Sequence, residues 1–150
     1  MNIKYRIELI TDWINNYASR LHDRNFNLVV GVSGGIDSAV TSTLCAKTNL
    51  STILVSMPIK QNKEQHDLSL QHIKWLESSY QNVKSFTISL DDVFAAFQKT
   101  MSNFNSDLAF ANSRSRLRMV TLYQIAQSNN ALVVGTGNKV EDFGVGFYTK

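Results

Sequence analysis

Residues 27–32, Asn-Leu-Val-Val-Gly-Val, run directly into Ser33-Gly34-Gly35. A strand with one wet face alternates apolar and polar residues, so an unbroken apolar run belongs to a sheet covered on both faces. Leu132-Val133-Val134 has the same character and reads as another buried strand, and Thr52 to Met57, halted by Pro58, reads as a strand. Val83 to Ile88 reads as a fourth strand. Helical segments separate them. Ile3, Ile7, Ile10, Ile14, Tyr17 and Leu21 recur at spacings of three and four, an apolar stripe that Leu9 and Trp13 widen. A small-residue helix is expected from about Asp37 to Thr48. A second runs from Gln65 to Tyr80, with Leu68, Ile73, Leu76 and Tyr80 apolar. A third covers Val93 to Met101, with Asp91-Asp92 as its N-cap. Ser102 to Asp107 reads as a loop, and Arg116 to Ser128 as a helix with Leu117, Val120 and Ile125 on its apolar side. Strands alternating with helices imply an α/β fold, a parallel sheet with helices on both faces.

The length of 150 residues suits one domain with a continuous core, and no repeat, low-complexity tract or linker divides it. Its 15 Lys+Arg against 12 Asp+Glu leave a net charge of +3, without the basic run that would mark a nucleic-acid surface. No apolar run reaches the roughly 18 residues of a membrane span. The N-terminus does not read as a secretory signal, since Glu8 and Asp12 interrupt it. The single cysteine, Cys45, cannot form an internal disulfide and is expected to be a buried structural thiol, which fits a cytoplasmic protein. His22, His66 and His72 lack metal-ligand spacing and are expected in solvated positions. Trp13 and Trp75 are expected to pack rather than to stack on a cofactor.

In open parallel sheets ligands bind beyond the carboxyl ends of the strands. Both glycine loops, Ser33 to Ser38 and Gly135 to Asn138, fall at such ends and so converge on one edge. In the first, Gly34 and Gly35 allow positive φ and close approach of a phosphate. The first N–H groups of the following helix favour an anion. Ser33 and Ser38 offer hydroxyls, and Asp37 offers an oxygen ligand for Mg²⁺, a cation usually shared with phosphate oxygens. The loop has neither the Gly-Lys-Ser/Thr of a Walker A motif nor the Gly-x-Gly-x-x-Gly of a dinucleotide fold. On a helix Arg114 and Arg118 share a face and Arg116 points about 200° away. Arg114 and Arg118 are accordingly expected to be solvated.

Ser33-Gly34-Gly35-Ile36-Asp37-Ser38 resembles the pyrophosphate loop of the ATP pyrophosphatases, which split ATP into AMP and pyrophosphate. Two downstream segments narrow the resemblance to the ammonia-dependent NAD synthetases. One is Ala111 to Met119, with Asn112, Arg116, Arg118 and Met119 in the family's order. The other is Gly135-Thr136-Gly137-Asn138-Lys139-Val140-Glu141, continuing to Phe147-Tyr148-Thr149-Lys150. The resemblance runs from about residue 5 to the last residue. Position 137 is Gly where many relatives have Asp.

The resemblance implies a Rossmann-like, adenine nucleotide alpha hydrolase-like domain over residues 1–150, truncated at its C-terminus before a segment rich in Asp and Gly. It implies an ATP site of Gly31, Val32, Ser33, Gly34, Gly35, Ile36, Asp37, Ser38 and Thr136. Arg116, Asn112 and Lys150 would contact deamido-NAD, and Asp37 with Glu141 would hold Mg²⁺. The nicotinate carboxylate of deamido-NAD would be adenylated by ATP, then amidated by ammonia to give NAD and AMP. No covalent enzyme intermediate is required, so no side chain is assigned a catalytic role beyond binding. Free ammonia is the expected nitrogen donor, because only one helix precedes the loop. A homodimer is expected, with neither nucleic acid nor membrane as partner. The competing readings are another ATP-pyrophosphatase ligase (GMP synthetase-like or tRNA-modifying), an ATP-binding module without amidation, and a mononucleotide in place of deamido-NAD.

Overall fold

The computed structural model describes residues 2–20 and 26–145. The elements are α1 (Ile3–Arg20), β1 (Asn27–Gly31), α2 (Ile36–Ala46), β2 (Thr52–Ser56), α3 (Lys63–Ser79), β3 (Val83–Thr87), α4 (Asp91–Thr100), α5 (Asp107–Ser128) and β4 (Ala131–Val134). A short 3-10 turn, Ser102–Phe104, links α4 to α5, and a wide helical turn, Val140–Val145, follows β4. The four strands form one parallel sheet in the order β3-β2-β1-β4. Its neighbours on either side make β1 a central strand, as its apolar run requires.

The side chains of the central strands sort themselves onto two faces by the period of two. Leu28, Val30, Val32 and Leu54 join Cys45 and Ala46 of α2 and Ile73 and Leu76 of α3 in one core. Val29, Ile53, Val55 and Met57 join Phe94 of α4 and Phe110 and Ala126 of α5 in the other. Helices therefore cover both faces, as the sequence pattern implies. β3 and β4 are the two edges of the described sheet, and Phe86 on β3 is 47% exposed. β4, expected as a buried strand at Leu132 to Val134, is half-buried throughout because only β1 flanks it.

Four expectations about helices are corrected. The stripe on α1 mostly faces outward: Ile3, Leu9, Ile10, Trp13 and Tyr17 are exposed. The face turned inward carries buried Thr11 and Ala18 with half-buried Ile7 and Ile14. Small side chains let two helix backbones approach, so apolar count alone does not choose the packed face. Leu21 lies outside the described residues. On α3, Leu68 is exposed, and Ser69, Ile73 and Leu76 take the buried face at spacings of four and three. Asp91 is not an N-cap. Leu90 occupies that position without a side-chain cap bond, and Asp91 lies in the first turn of α4. Finally, α5 begins at Asp107, nine residues before the expected start at Arg116. Ser106 caps it through the Ala109 N–H (3.4 Å), and Phe110 opens the buried face one heptad before Leu117. Val120, expected on the apolar side, is 60% exposed.

Cys45 is buried at the end of α2, with no solvent exposure. Burial disfavours the thiolate and pushes the thiol from its ordinary value of 9.0 up to about 12. A pKa raised on folding makes the stabilisation from the neutral thiol complete below about pH 9 and progressively lost as pH rises toward 12. Native protein at pH 8 should therefore leave Ellman's reagent unreacted, and one equivalent should react once the chain is unfolded in guanidinium. Rapid labelling of the native thiol would refute this burial.

Candidate functional site

β1 passes to β2 on one side and lies against β4 on the other. The chain thus leaves β1 and β4 at a topological switch point, where adjacent loops diverge and open a crevice. The Val32 N–H bonds to Val55 O (2.9 Å) and carries the pairing one residue past the strand. The chain then turns through Gly34 at φ 88° into α2. Only glycine adopts that φ freely, and a Cβ there would collide with the backbone carbonyl oxygen of Gln65 on α3.

The loop is tied by its own hydroxyls. Ser38 Oγ accepts from the Ser33 N–H (3.1 Å) and donates to Gly35 O (2.9 Å), while the Gly35 N–H donates to Ser33 Oγ (3.2 Å). Ser38 is buried and Ser33 exposed. Ser38 thus braces the turn from within while Ser33 borders the open side. Gly35 is the N-cap of α2 and offers no side-chain cap, so the first N–H groups of the helix stay available to an external acceptor. From below, Ser69 Oγ donates to Val32 O (2.9 Å). From the side, Gln61 Nε2 donates to Ser33 O (2.8 Å). The loop is held from three directions before any ligand arrives.

Above it lies a cleft of about 720 Å³, bounded by the ends of β1, β2 and β4 and by α5. Of the residues expected at an ATP site, Gly31, Val32, Ser33, Gly35 and Thr136 line it. Gly34, Ile36, Asp37 and Ser38 do not, though all belong to the loop beneath. Opposite stands Arg118. Its Nε donates to Met57 O (3.0 Å) and it is half-buried. Burial and then the neighbouring Arg114 charge lower its pKa from the ordinary guanidinium range. The expectation that Arg118 is solvated is therefore corrected, and so is that for Arg114, which lies 5.6 Å from the Phe94 ring. Arg116 and Asn112 are half-buried on α5 away from the lining of this cleft. Lys150 lies outside the described residues.

The loop after β4 closes the remaining side. Asn138 Nδ2 donates to Asp37 Oδ2 (3.2 Å), and Asn138 Oδ1 accepts from the Glu141 N–H (3.0 Å). One amide so links the carboxylate in the first turn of α2 to the backbone of Glu141. Magnesium is commonly held by one or two carboxylates with substrate phosphates and water completing its shell. Two carboxylate residues beside an open helix N-terminus suit that chemistry. Among the described residues no group of three or more His, Cys, Asp or Glu could hold a metal without phosphate.

Sequence reasoning missed Arg118 and Gln61 as members of this site, and it placed Asn138 at the site's edge without assigning it a role. Arg118 had one available signal: it lies three residues after Ser115 and four before Leu122, both on the cleft wall. Gln61 had none. Two of the histidines are not solvated as expected. His72 is half-buried with Nε2 2.9 Å from Ser42 Oγ, and desolvation lowers its pKa. His66 is half-buried with Nδ1 enclosed. His22 lies outside the described residues. Trp13 stacks on Tyr17 with ring centroids 5.3 Å apart, and Trp75 meets Tyr80 edge-on at 6.5 Å.

Comparison with known proteins gives a consistent picture. The family description for NAD synthase matches residues 6–150. An NH(3)-dependent NAD(+) synthetase of Mesoplasma florum is 31% identical over 154 aligned positions, covering 100% of this chain and 60% of the relative. One of Saccharolobus solfataricus is 40% identical over 123 positions, covering 81% of this chain and 42% of the relative. The structure of NMN synthetase from Francisella tularensis superposes with a TM-score of 0.87 at 32% identity, covering 100% of this chain and 60% of that one. The chain thus spans about 60% of the length of several relatives it matches. No helix among the described residues is long and apolar enough to cross a membrane.

Gly34→Ala should destabilise the fold by about 1–3 kcal/mol from the backbone conformation alone, with the contact at Gln65 adding to it. Urea denaturation followed by circular dichroism measures this. A wild-type midpoint for the variant would contradict the close approach of α3 to the loop.

Proposed function

Because this chain belongs to the NAD synthase family, we propose that it carries the adenylating site of an ATP-dependent, C–N bond-forming ligase. Its substrates on this reading are ATP, deamido-NAD and ammonia. The observation that supports it best is the Asn138–Asp37 hydrogen bond, which ties the segment after β4 to the Ser33–Ser38 loop beside a cleft lined by Ser33, Gly35 and Thr136. Residues 1–150 form a single ATP-pyrophosphatase-type domain in this account.

ATP lies with its β- and γ-phosphates over Ser33, Gly34 and Gly35 and against the N-terminus of α2, where backbone N–H groups and the helix dipole oppose its charge. Gly31, Val32, Ile36, Ser38 and Thr136 complete that site. Asp37 and Glu141 would hold a Mg²⁺ ion, which would supply charge neutralisation for the departing pyrophosphate. An oxygen of the substrate carboxylate attacks the α-phosphorus, and the bond to the bridging oxygen breaks with its electron pair leaving on pyrophosphate. The product is a mixed anhydride. Ammonia then attacks its carbonyl carbon, loses a proton, and AMP departs with the C–O electron pair. The chain's contribution is positioning and electrostatic stabilisation, which need no covalent enzyme intermediate. Asn112, Arg116 and Lys150 contact the carboxylate substrate in this reading; an Arg fork suits a phosphate or carboxylate. A homodimer and a cytoplasmic setting belong to the same proposal, the latter consistent with the lone reduced thiol of Cys45.

A second reading takes a mononucleotide in place of deamido-NAD. The match of the whole chain to a protein described as NMN synthetase favours keeping it. Substrate-dependent exchange of labelled pyrophosphate into ATP separates the two. Exchange with deamido-NAD supports the first, and exchange with nicotinate mononucleotide alone supports the second. Asp37→Ala should lower the exchange rate at least about tenfold through loss of a phosphate-neutralising ligand. Exchange with neither acid would overturn the adenylation reading for this chain.

A further inference from the structure

Asn138 stands 101 residues from Asp37 in sequence, yet its amide is shared between two elements that each contribute one carboxylate residue. Its donor end holds Asp37 Oδ2, and its acceptor end takes the Glu141 N–H at the start of the closing helical turn. Its own backbone carbonyl accepts from the Asp142 N–H (3.0 Å), so the residue's main chain is committed to that turn as well. A side-chain amide can do this because it carries donors on nitrogen and an acceptor on oxygen in one plane. A carboxylate would repel Asp37, and a hydroxyl is too short to reach both.

The arrangement has a consequence for the site. Asp37, half-buried in the first turn of α2, has freedom about two side-chain torsions. A hydrogen bond to one of its oxygens restricts that freedom and leaves the other oxygen for a ligand. The same amide fixes the start of the turn that carries Glu141. Groups that orient metal ligands from behind commonly change metal affinity by tenfold or more when removed.

We infer that Asn138 is a positioning residue that sets Asp37 and Glu141 in register for a divalent cation shared with ATP phosphates. This rests on the reading of those two carboxylates as the metal-holding pair. Asn138 touches neither the substrate nor the reacting atoms. Its effect passes through Asp37 on one side and through the helical turn on the other.

The two roles of Asn138, bridge and cap, separate by substitution. Serine is a good N-cap and can keep the bond to the Glu141 N–H, but cannot span to Asp37. Asn138→Ala loses both. Mn²⁺ serves as probe, its binding to the chain in the presence of a non-hydrolysable ATP analogue followed by electron paramagnetic resonance. Thermal melting and analogue binding without metal serve as controls. Asn138→Ser should weaken Mn²⁺ binding about tenfold or more while its melting temperature and metal-free analogue affinity stay at wild-type values. Asn138→Ala should weaken it at least as much and melt lower. Wild-type Mn²⁺ affinity in Asn138→Ser, with affinity lost in Asp37→Ala, overturns the inference alone and leaves Asn138 a helix cap. Unchanged Mn²⁺ affinity in Asp37→Ala and Glu141→Ala overturns the metal reading and the inference together.

Discussion

β1 has strands on both sides and helices on both faces, and every part of the site is placed relative to its end. A strand so enclosed presents only its terminus to solvent, and its last backbone groups must find partners there. Val32 finds Val55 and Ser69, and the chain then turns sharply through Gly34 because α3 leaves no room for a Cβ. The loop is therefore shaped by packing beneath it as much as by its own glycines. The available N–H groups at the start of α2 are the remainder after those demands are met.

The cleft above this loop is electrostatically mixed by construction. Backbone N–H groups and the α2 dipole supply positive potential on the floor, while Arg118 supplies a full charge on the wall. Partial desolvation of Arg118 makes its charge more effective toward an anion than a freely hydrated guanidinium would be. Asp37 places negative charge at the edge of the same floor. An anionic ligand with its own cation is accommodated by such a layout more naturally than a bare anion, since the acid would otherwise oppose it. Lys60 at φ 44°, with its N–H held by the Asp91 carboxylate, fixes the far rim. That bond, followed by the one from Ser89, lowers the Asp91 pKa from the usual carboxylate range.

Much of the architecture was legible in the residues. The apolar run at 27–32 required a strand enclosed on both faces, and the helices between the strands required parallel connections. The Ser-Gly-Gly turn between strand and helix was legible for the same local reason. The run at 132–134 looked like that at 27–32 but forms a half-buried edge, since which strand lies at the margin is a matter of topology. Two of the errors share one cause. The stripe of α1 and Leu68 of α3 were read as buried because they are apolar, whereas burial followed the small residues Thr11, Ala18 and Ser69 that permit close approach. The start of α5 escaped notice because Asp107 to Ser115 is rich in polar residues, and Phe110 alone marks its packed face there.

What the sequence by itself determined is the fold class, the strand that must lie at its centre, and the phosphate loop that ends it. Each is encoded within a turn or a strand's length, where period and residue type act directly. The tertiary structure decided which side chains share the cleft. Arg118 meets Met57 across 61 residues, Gln61 meets Ser33 across 28, and Asn138 meets Asp37 across 101. Contacts at such separations depend on how whole elements pack, and no local pattern carries that information.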